Sequence, residues 1–179
     1  MSLTPYLYVE KFNPEEKKWE KISLYNSKKK EIDFWPWNAT YEVFNLIKQY
    51  GKTDIDPGTF SEEVKEEYEK YGYYDLFSSV NKEEKKYVPC YVLPLFVLDQ
   101  IYLKNPKVVD VDAKCDAWEA AGDIEYEKLK DEDFLTDNPI KTLIDRVMTW
   151  VELDNDFLWW GSEDRIIHGD EIRVIAWIM

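Results

Sequence analysis

The stretch Ile32–Gly51, IDFWPWNATYEVFNLIKQYG, constrains the fold more than any other, because it contains a break that no single element can span. Pro36 lacks the N–H that a sheet ladder needs and biases Trp35 away from helical geometry. An incoming strand must therefore end, or reach a sheet edge, at Trp35-Pro36-Trp37. Asn38 then suits the N-cap of a helix, since its side-chain oxygen can accept an orphan N–H of the first turn. Tyr41, Phe44 and Ile47 follow at spacings of three, and Val43, Leu46 and Tyr50 widen the apolar stripe into a face that suits a sheet. Gly51 fits the left-handed position beyond the last turn.

The flanking segments supply that sheet. Tyr6–Phe12 alternates Leu7 and Val9 against Tyr6, Tyr8 and Glu10, as a half-buried strand does. The polar run Asn13–Lys18 turns it into a second alternating stretch, Trp19–Tyr25, which predicts a hairpin. Lys28-Lys29-Lys30 reads as a solvated turn. At the other end, Glu171–Met179 (EIRVIAWIM) is almost continuously apolar and β-branched, which predicts a strand covered on both faces, central and beside the hairpin.

Helices fill the interval between. Asp56-Pro57-Gly58 is a turn, and Thr59 with Glu62 has capping-box spacing, or Ser61 caps, ahead of a helix with Val64, Tyr68 and Tyr71 inward and Gly72 at its end. Tyr74–Val80 reads as a short helix or turn and Asn81–Lys86 as a charged loop. Val88–Leu103 is strongly apolar; Pro94 suits the first turn of a helix over Leu95–Leu103, and burial is the expected fate of that stretch. Val108–Val111 reads as a short extended piece, and Ala113–Ala121 as a helix anchored by Trp118 and ended by Gly122. Ile124–Phe134 could be strand or loop. Pro139 opens a helix with Ile140, Leu143, Ile144, Val147, Met148 and Val151 on one stripe. Asp154–Trp160 reads as a loop or edge strand ending in a Trp pair. The fold class expected is α+β: a small, mostly antiparallel sheet of N-terminal hairpin and C-terminal strand, covered by several helices. One domain over residues 1–179 accommodates it.

Charge bounds the function. Lys and Arg number 23 against 37 Asp and Glu, a formal charge of −14, so the surrounding field repels nucleic acid and anionic membranes. Asp110–Asp137 alone holds eleven carboxylates against three lysines, more than half of the imbalance. Aromatic residues make up 16%, which argues against disorder. No run of about 18 apolar residues predicts a membrane span, and MSLTPYLYVEKF lacks the basic start and long apolar stretch of a secretory signal, so none is expected there. Cys90 and Cys115 form neither a metal-type pair nor a disulfide framework, so reduced thiols in a cytoplasmic setting are expected, with a single Cys90–Cys115 disulfide as the minor alternative.

Three segments resemble an uncharacterised family of small proteins encoded by tailed phages and prophages. Tyr6–Ile22 (YLYVEKFNPEEKKWEKI) is similar to that family's opening hairpin, with its Trp after the turn. Asn38–Gly51 and Asp56–Gly72 are similar to its Tyr-acid-aliphatic-Phe helix and its Ser-Glu-Glu-Val helix. Asp170–Met179 is similar to its closing acid-aliphatic-Arg strand, with Arg173 at the matching place. Asn45 stands where the family has a small residue, and the family's Gly-Val-Arg after the helix and Phe-Asp-Asn ending are missing. The resemblance implies a phage or prophage origin and supplies no reaction; together with the reduced thiols it makes a host-cell cytoplasm the expected setting.

No stretch spells out a chemistry. His168 is the single histidine, and Gly161-Ser162-Glu163-Asp164 is not a nucleophile elbow. Asp110-x-Asp112 and Asp154-x-Asp156 open like calcium loops, but Lys114, Cys115 and Ala121 in the first, and Leu158, Trp159 and Arg165 in the second, occupy places that need oxygen ligands or glycine. No phosphate loop or dinucleotide fingerprint is present. Catalytic, cofactor and metal sites are therefore not expected. The expectation is a non-catalytic protein that binds a basic host or phage protein, as decoy, inhibitor or accessory factor. Its contacts would come from Asp110, Asp112, Asp116, Glu119, Asp131, Glu132 and Asp133, with Trp35, Trp37, Trp159 and Trp160 as aromatic anchors. Two alternatives stay open: a carboxylate-dependent hydrolase or glycan binder using surface Trp, and a structural homo-oligomer packed through Val88–Leu103.

Overall fold

The computed structural model describes residues 5–26, 28–32, 40–74, 86–153 and 171–178. Strand β1 (Pro5–Asn13) turns into β2 (Lys18–Lys21) where the Asn13 side chain accepts the Glu15 and Glu16 N–H groups. The second arm of the hairpin is shorter than its alternation suggests. It stops at Lys21, and Leu24–Tyr25 (β3) pairs instead with Glu31–Ile32 (β4) in a separate ribbon. The lysine-rich turn of that ribbon is organised by Asn26, whose side chain accepts from Lys28 and Lys30.

Helix α1 covers Thr40–Tyr50 and buries Phe44 and Ile47. The Trp35-Pro36-Trp37 break and the Asn38 cap lie outside the described residues. Gly51 ends α1 for a different reason from the one its sequence position suggests. Among the described residues the one glycine with positive φ is Gly122, so Gly51 is not a left-handed cap. A Cβ there would lie 2.8 Å from the Ile47 carbonyl oxygen and 2.9 Å from Cβ of Tyr91. Close backbone approach, not handedness, requires the missing side chain.

A 3-10 turn, Pro57–Thr59, capped by the Asp56 carboxylate on the Gly58 N–H, leads into α2 (Glu62–Tyr71). Then come the ribbon strands β5 (Tyr73–Tyr74) and β6 (Lys86–Tyr87), followed by β7 (Tyr91–Pro94). Pro94 is the N-cap of α3 (Leu95–Lys104). The chain continues through β8 (Lys107–Val109), α4 (Val111–Ala121), 3-10 turns at Tyr126–Lys128 and Asp131–Phe134, and β9 (Leu135–Asp137). It ends with α5 (Ile140–Leu153) and β10 (Ile172–Ile178). Of the predicted features between, most of Tyr74–Val80 and Asn81–Lys86, and all of Asp154–Trp160, fall outside the described residues.

The fold is α+β. Its sheet has the order β2-β1-β10-β7, antiparallel throughout, and β10 is central beside the hairpin, as its apolar run predicts. Because alternate residues point to opposite faces, β10 divides its side chains between two cores. Ile172, Val174 and Ala176 join Leu7, Val9 and Leu93 under α1, α3 and α5. Ile175 and Trp177 join Val92, Phe60, Val64 and Tyr68 under α2. The apolar Val88–Leu103 segment is mostly interior, with Leu93, Leu95, Leu98 and Ile101 buried; Phe96 and Leu103 stay exposed.

On the α2 face the register pairs Glu10 with Arg173. Glu10 is fully buried, and its Oε1 accepts from Nε and Nη2 of Arg173 at 2.9 and 2.8 Å. Its Oε2 accepts the Ser61 N–H at 2.6 Å. Arg173 Nη2 also donates to the Thr59 carbonyl, and the guanidinium lies 4.0 Å from the Trp19 ring centroid. The capping box read from Thr59 and Glu62 does not form. The Thr59 hydroxyl donates to the Asp56 carbonyl, and Ser61 is the N-cap without a side-chain cap bond. With Ser61 at the cap, Val64 occupies the position where a box needs Glu or Gln. Glu10, from across the fold, satisfies the N–H that such a residue would have taken.

Replacing Gly51 by Ala should destabilise the protein by about 1–3 kcal/mol, because both neighbours of the new Cβ are fixed in the core. Urea unfolding measures this, and an unchanged midpoint would show that the α1–β7 approach is looser than described.

Candidate functional site

Residues 107–137 leave the body as one excursion closed at its neck. There β8 pairs with β9, and the Asp110 N–H bonds to the Phe134 carbonyl at 2.8 Å. The neck is seated by Asn138, which is buried: its amide donates to the Asn105 carbonyl at 2.7 Å, while its side-chain oxygen accepts the Ile140 N–H and so caps α5. Lys107 and Asp137 form an exposed ion pair across the two strands.

Inside the excursion, α4 starts because the Asp110 side chain accepts the Ala113 N–H at 2.9 Å, and Asp112 adds negative charge to the first turn, where the helix dipole favours it. Gly122, at φ 77°, ends the helix. Lys114 is the buried residue of α4, not Trp118. Its ammonium donates to Asp131 Oδ1 at 2.6 Å and sits 4.3 Å from the Tyr126 ring centroid. The hydrogen bond to Asp131 raises the lysine's pKa, against the burial that lowers it. A cation pinned between a ring and a carboxylate thus fastens α4 to the two 3-10 turns.

The structure corrects the expected anchor role of Trp118. The indole is 40% exposed; its N–H donates to the Ile124 carbonyl at 2.7 Å, and its ring meets Tyr126 edge-on at 5.9 Å. Ile124, beside it, is exposed as well. A helix of eleven residues with one Trp suggests core packing, and no local signal announces that the apolar contact would instead come from the stem of a lysine.

Of the residues expected to recognise a partner, Asp110, Asp112, Asp116, Glu119, Asp131, Glu132 and Asp133 are brought together on this excursion. Two have structural duties: Asp110 caps α4 and Asp131 holds Lys114. The other five, Asp112, Asp116, Glu119, Glu132 and Asp133, are exposed. Trp35, Trp37, Trp159, Trp160 and His168 lie outside the described residues. Beside the neck is an open depression of about 270 Å³ lined by Asn45, Leu46, Gln49, Asn105, Val108 and Val109, so amides and aliphatic side chains form its walls. Among the described residues, no group of three or more His, Cys, Asp or Glu is placed to hold a metal ion, and no helix is long and apolar enough to cross a membrane.

Both cysteines are free thiols. Cys90 is buried in the same cluster as Tyr68, whose hydroxyl donates to the Val88 carbonyl at 2.6 Å, and burial pushes the Cys90 pKa from 9 up to about 12. The thiolate is the reactive form, so Cys90 is not poised for nucleophilic work. Scans against protein-family models and searches of curated proteins and of solved structures find nothing that matches this chain.

The Cys90 shift carries a testable consequence. Because the folded state holds the proton more tightly, the contribution of this thiol to stability is intact below pH 9 and is lost as pH rises from about 9 towards about 12. Alkylation at pH 8, followed by mass spectrometry, should leave Cys90 unmodified in the native protein and modify it fully in urea. Rapid native labelling of Cys90 would contradict its burial.

Proposed function

We propose that this chain is a non-catalytic protein of phage or prophage type that binds a basic protein through residues 107–137, as a decoy, inhibitor or accessory factor in the host cytoplasm. The observation that carries the reading is the exposure of Asp112, Asp116, Glu119, Glu132 and Asp133 on one closed excursion. Their charge is concentrated where the fold does not consume it. Such a field steers a positively charged partner and repels nucleic acid, whose backbone carries the same sign. The resemblance of the hairpin, the two helices and the last strand to phage-encoded proteins supports the origin and is silent on the partner.

A second reading, a homo-oligomer, is favoured by Phe96 and Leu103, both exposed and seven residues apart on one side of α3. Light scattering separates the two: an assembly that dissociates when Phe96 and Leu103 are replaced by Ser supports it, and a monomer at high concentration removes it.

For the first reading, a variant with Asp112→Asn, Asp116→Asn, Glu119→Gln, Glu132→Gln and Asp133→Asn should keep a thermal midpoint close to that of the parent, since none of the five is buried and the helix-dipole contribution of Asp112 is about 0.3–1 kcal/mol. Immobilised parent protein should retain a basic protein from host extract at low ionic strength. It should release that protein as salt rises, and the neutralised variant should fail to retain it. Retention indifferent to salt and to the five substitutions would refute the electrostatic reading.

A further inference from the structure

The excursion already holds one cation on an aromatic ring, and the arrangement shows what a second would find. Lys114 lies over Tyr126 and is clamped by Asp131. Trp118 is the next ring, edge-on to Tyr126 at 5.9 Å. Its one polar group is spent on the Ile124 carbonyl, which fixes the indole plane and leaves no hydrogen-bonding need. The indole nevertheless keeps 40% of its surface open, beside an exposed Ile124. The acids flanking that carbonyl, Asp123 and Glu125, are exposed, as is Glu119 next to the ring in sequence.

A partly open indole of fixed orientation, with exposed acids at neighbouring positions of the chain, is complementary to a planar cation. Arg stacks on such a ring while its N–H groups reach acceptors at the rim, whereas Lys brings a compact, more strongly hydrated charge. We infer that Trp118 is the anchor of the partner surface and takes an arginine side chain of the basic protein, with Ile124 packing on the apolar stem of that arginine. This rests on the reading of residues 107–137 as a binding surface. It adds the identity of the contacting group: an arginine-bearing segment, in preference to a lysine-bearing one of equal charge.

The probes are two fluorescein-labelled peptides of equal length and charge, one alternating arginine with alanine and one alternating lysine with alanine, titrated into the full chain at low ionic strength. The arginine peptide should bind about two- to five-fold more tightly. That preference should vanish in Trp118→Leu and persist in Trp118→Phe. In the unaltered protein, the arginine peptide should also shift the Trp118 indole N–H resonance, identified by its loss in Trp118→Phe. Salt-sensitive binding with no arginine preference, a preference untouched by Trp118→Leu, or an unmoved indole resonance would overturn the assignment to Trp118 while leaving the acidic surface standing. Failure of both peptides to bind would overturn both.

Discussion

A buried carboxylate and a buried guanidinium, Glu10 and Arg173, set the terms on which the rest of the fold is built. They are partners in the β1–β10 register and share one face of the sheet. Removing two charges from water costs several kcal/mol per ion unless each is paired and its remaining donors and acceptors are satisfied. Here the satisfaction comes from outside the sheet: the Ser61 N–H on Glu10, the Thr59 carbonyl on Arg173, and the rings of Trp19 and Phe60 around the guanidinium. Burial pushes the Arg173 pKa down and Glu10 pushes it back up. The pair is therefore stable only with the turn before α2 seated on it, and that seating dictates which side of the sheet α2 covers.

From this follows the division of the molecule. Once α2 is fixed over Glu10 and Arg173, the opposite face of β10 is left for α1, α3 and α5, and each strand residue has its core assigned by parity. On the α2 side, Trp177 stacks with Tyr6 and Tyr8 and meets Tyr68 edge-on, a layer of aromatic contacts that a continuous apolar strand can bury only because helices cover both faces. Residues 107–137 stand apart from this logic. Their main contacts are with one another, β8 with β9 and α4 with the turn at Asp131–Phe134, and their acids are not needed by either core. Charge that would be intolerable near Glu10 is free to accumulate there. Residues 107–137 thus form an appendage carried by the sheet-and-helix scaffold, where recognition residues commonly lie.

Much of the scaffold was legible in the residues. The apolar run of β10, the stripe of α5 from Ile140 to Val147 and the alternation of β1 are local patterns with local causes, and the structure bears them out. What could not be read depends on contacts between distant residues. Ser61 makes no side-chain cap bond, and its own N–H goes to Glu10, fifty-one residues away in sequence, in place of a capping-box acid at N3. Gly51 is required by Tyr91, not by its own φ. Trp118 is an exposed ring because Lys114 fills the interior and Asp131 neutralises it. The clustering of carboxylates on the excursion was plain from Asp110–Asp137, but which of them the fold consumes, Asp110 and Asp131, emerges only from the helix cap and the lysine they serve.

The most direct test is a double-mutant cycle in urea unfolding with Glu10→Leu, Arg173→Leu and the pair together. Each single change should cost about 3–5 kcal/mol by stranding a buried charge, and the double variant should lose markedly less than the sum, because it strands none. Additive losses, or single variants as stable as the parent, would mean that the seating of α2 does not depend on this pair.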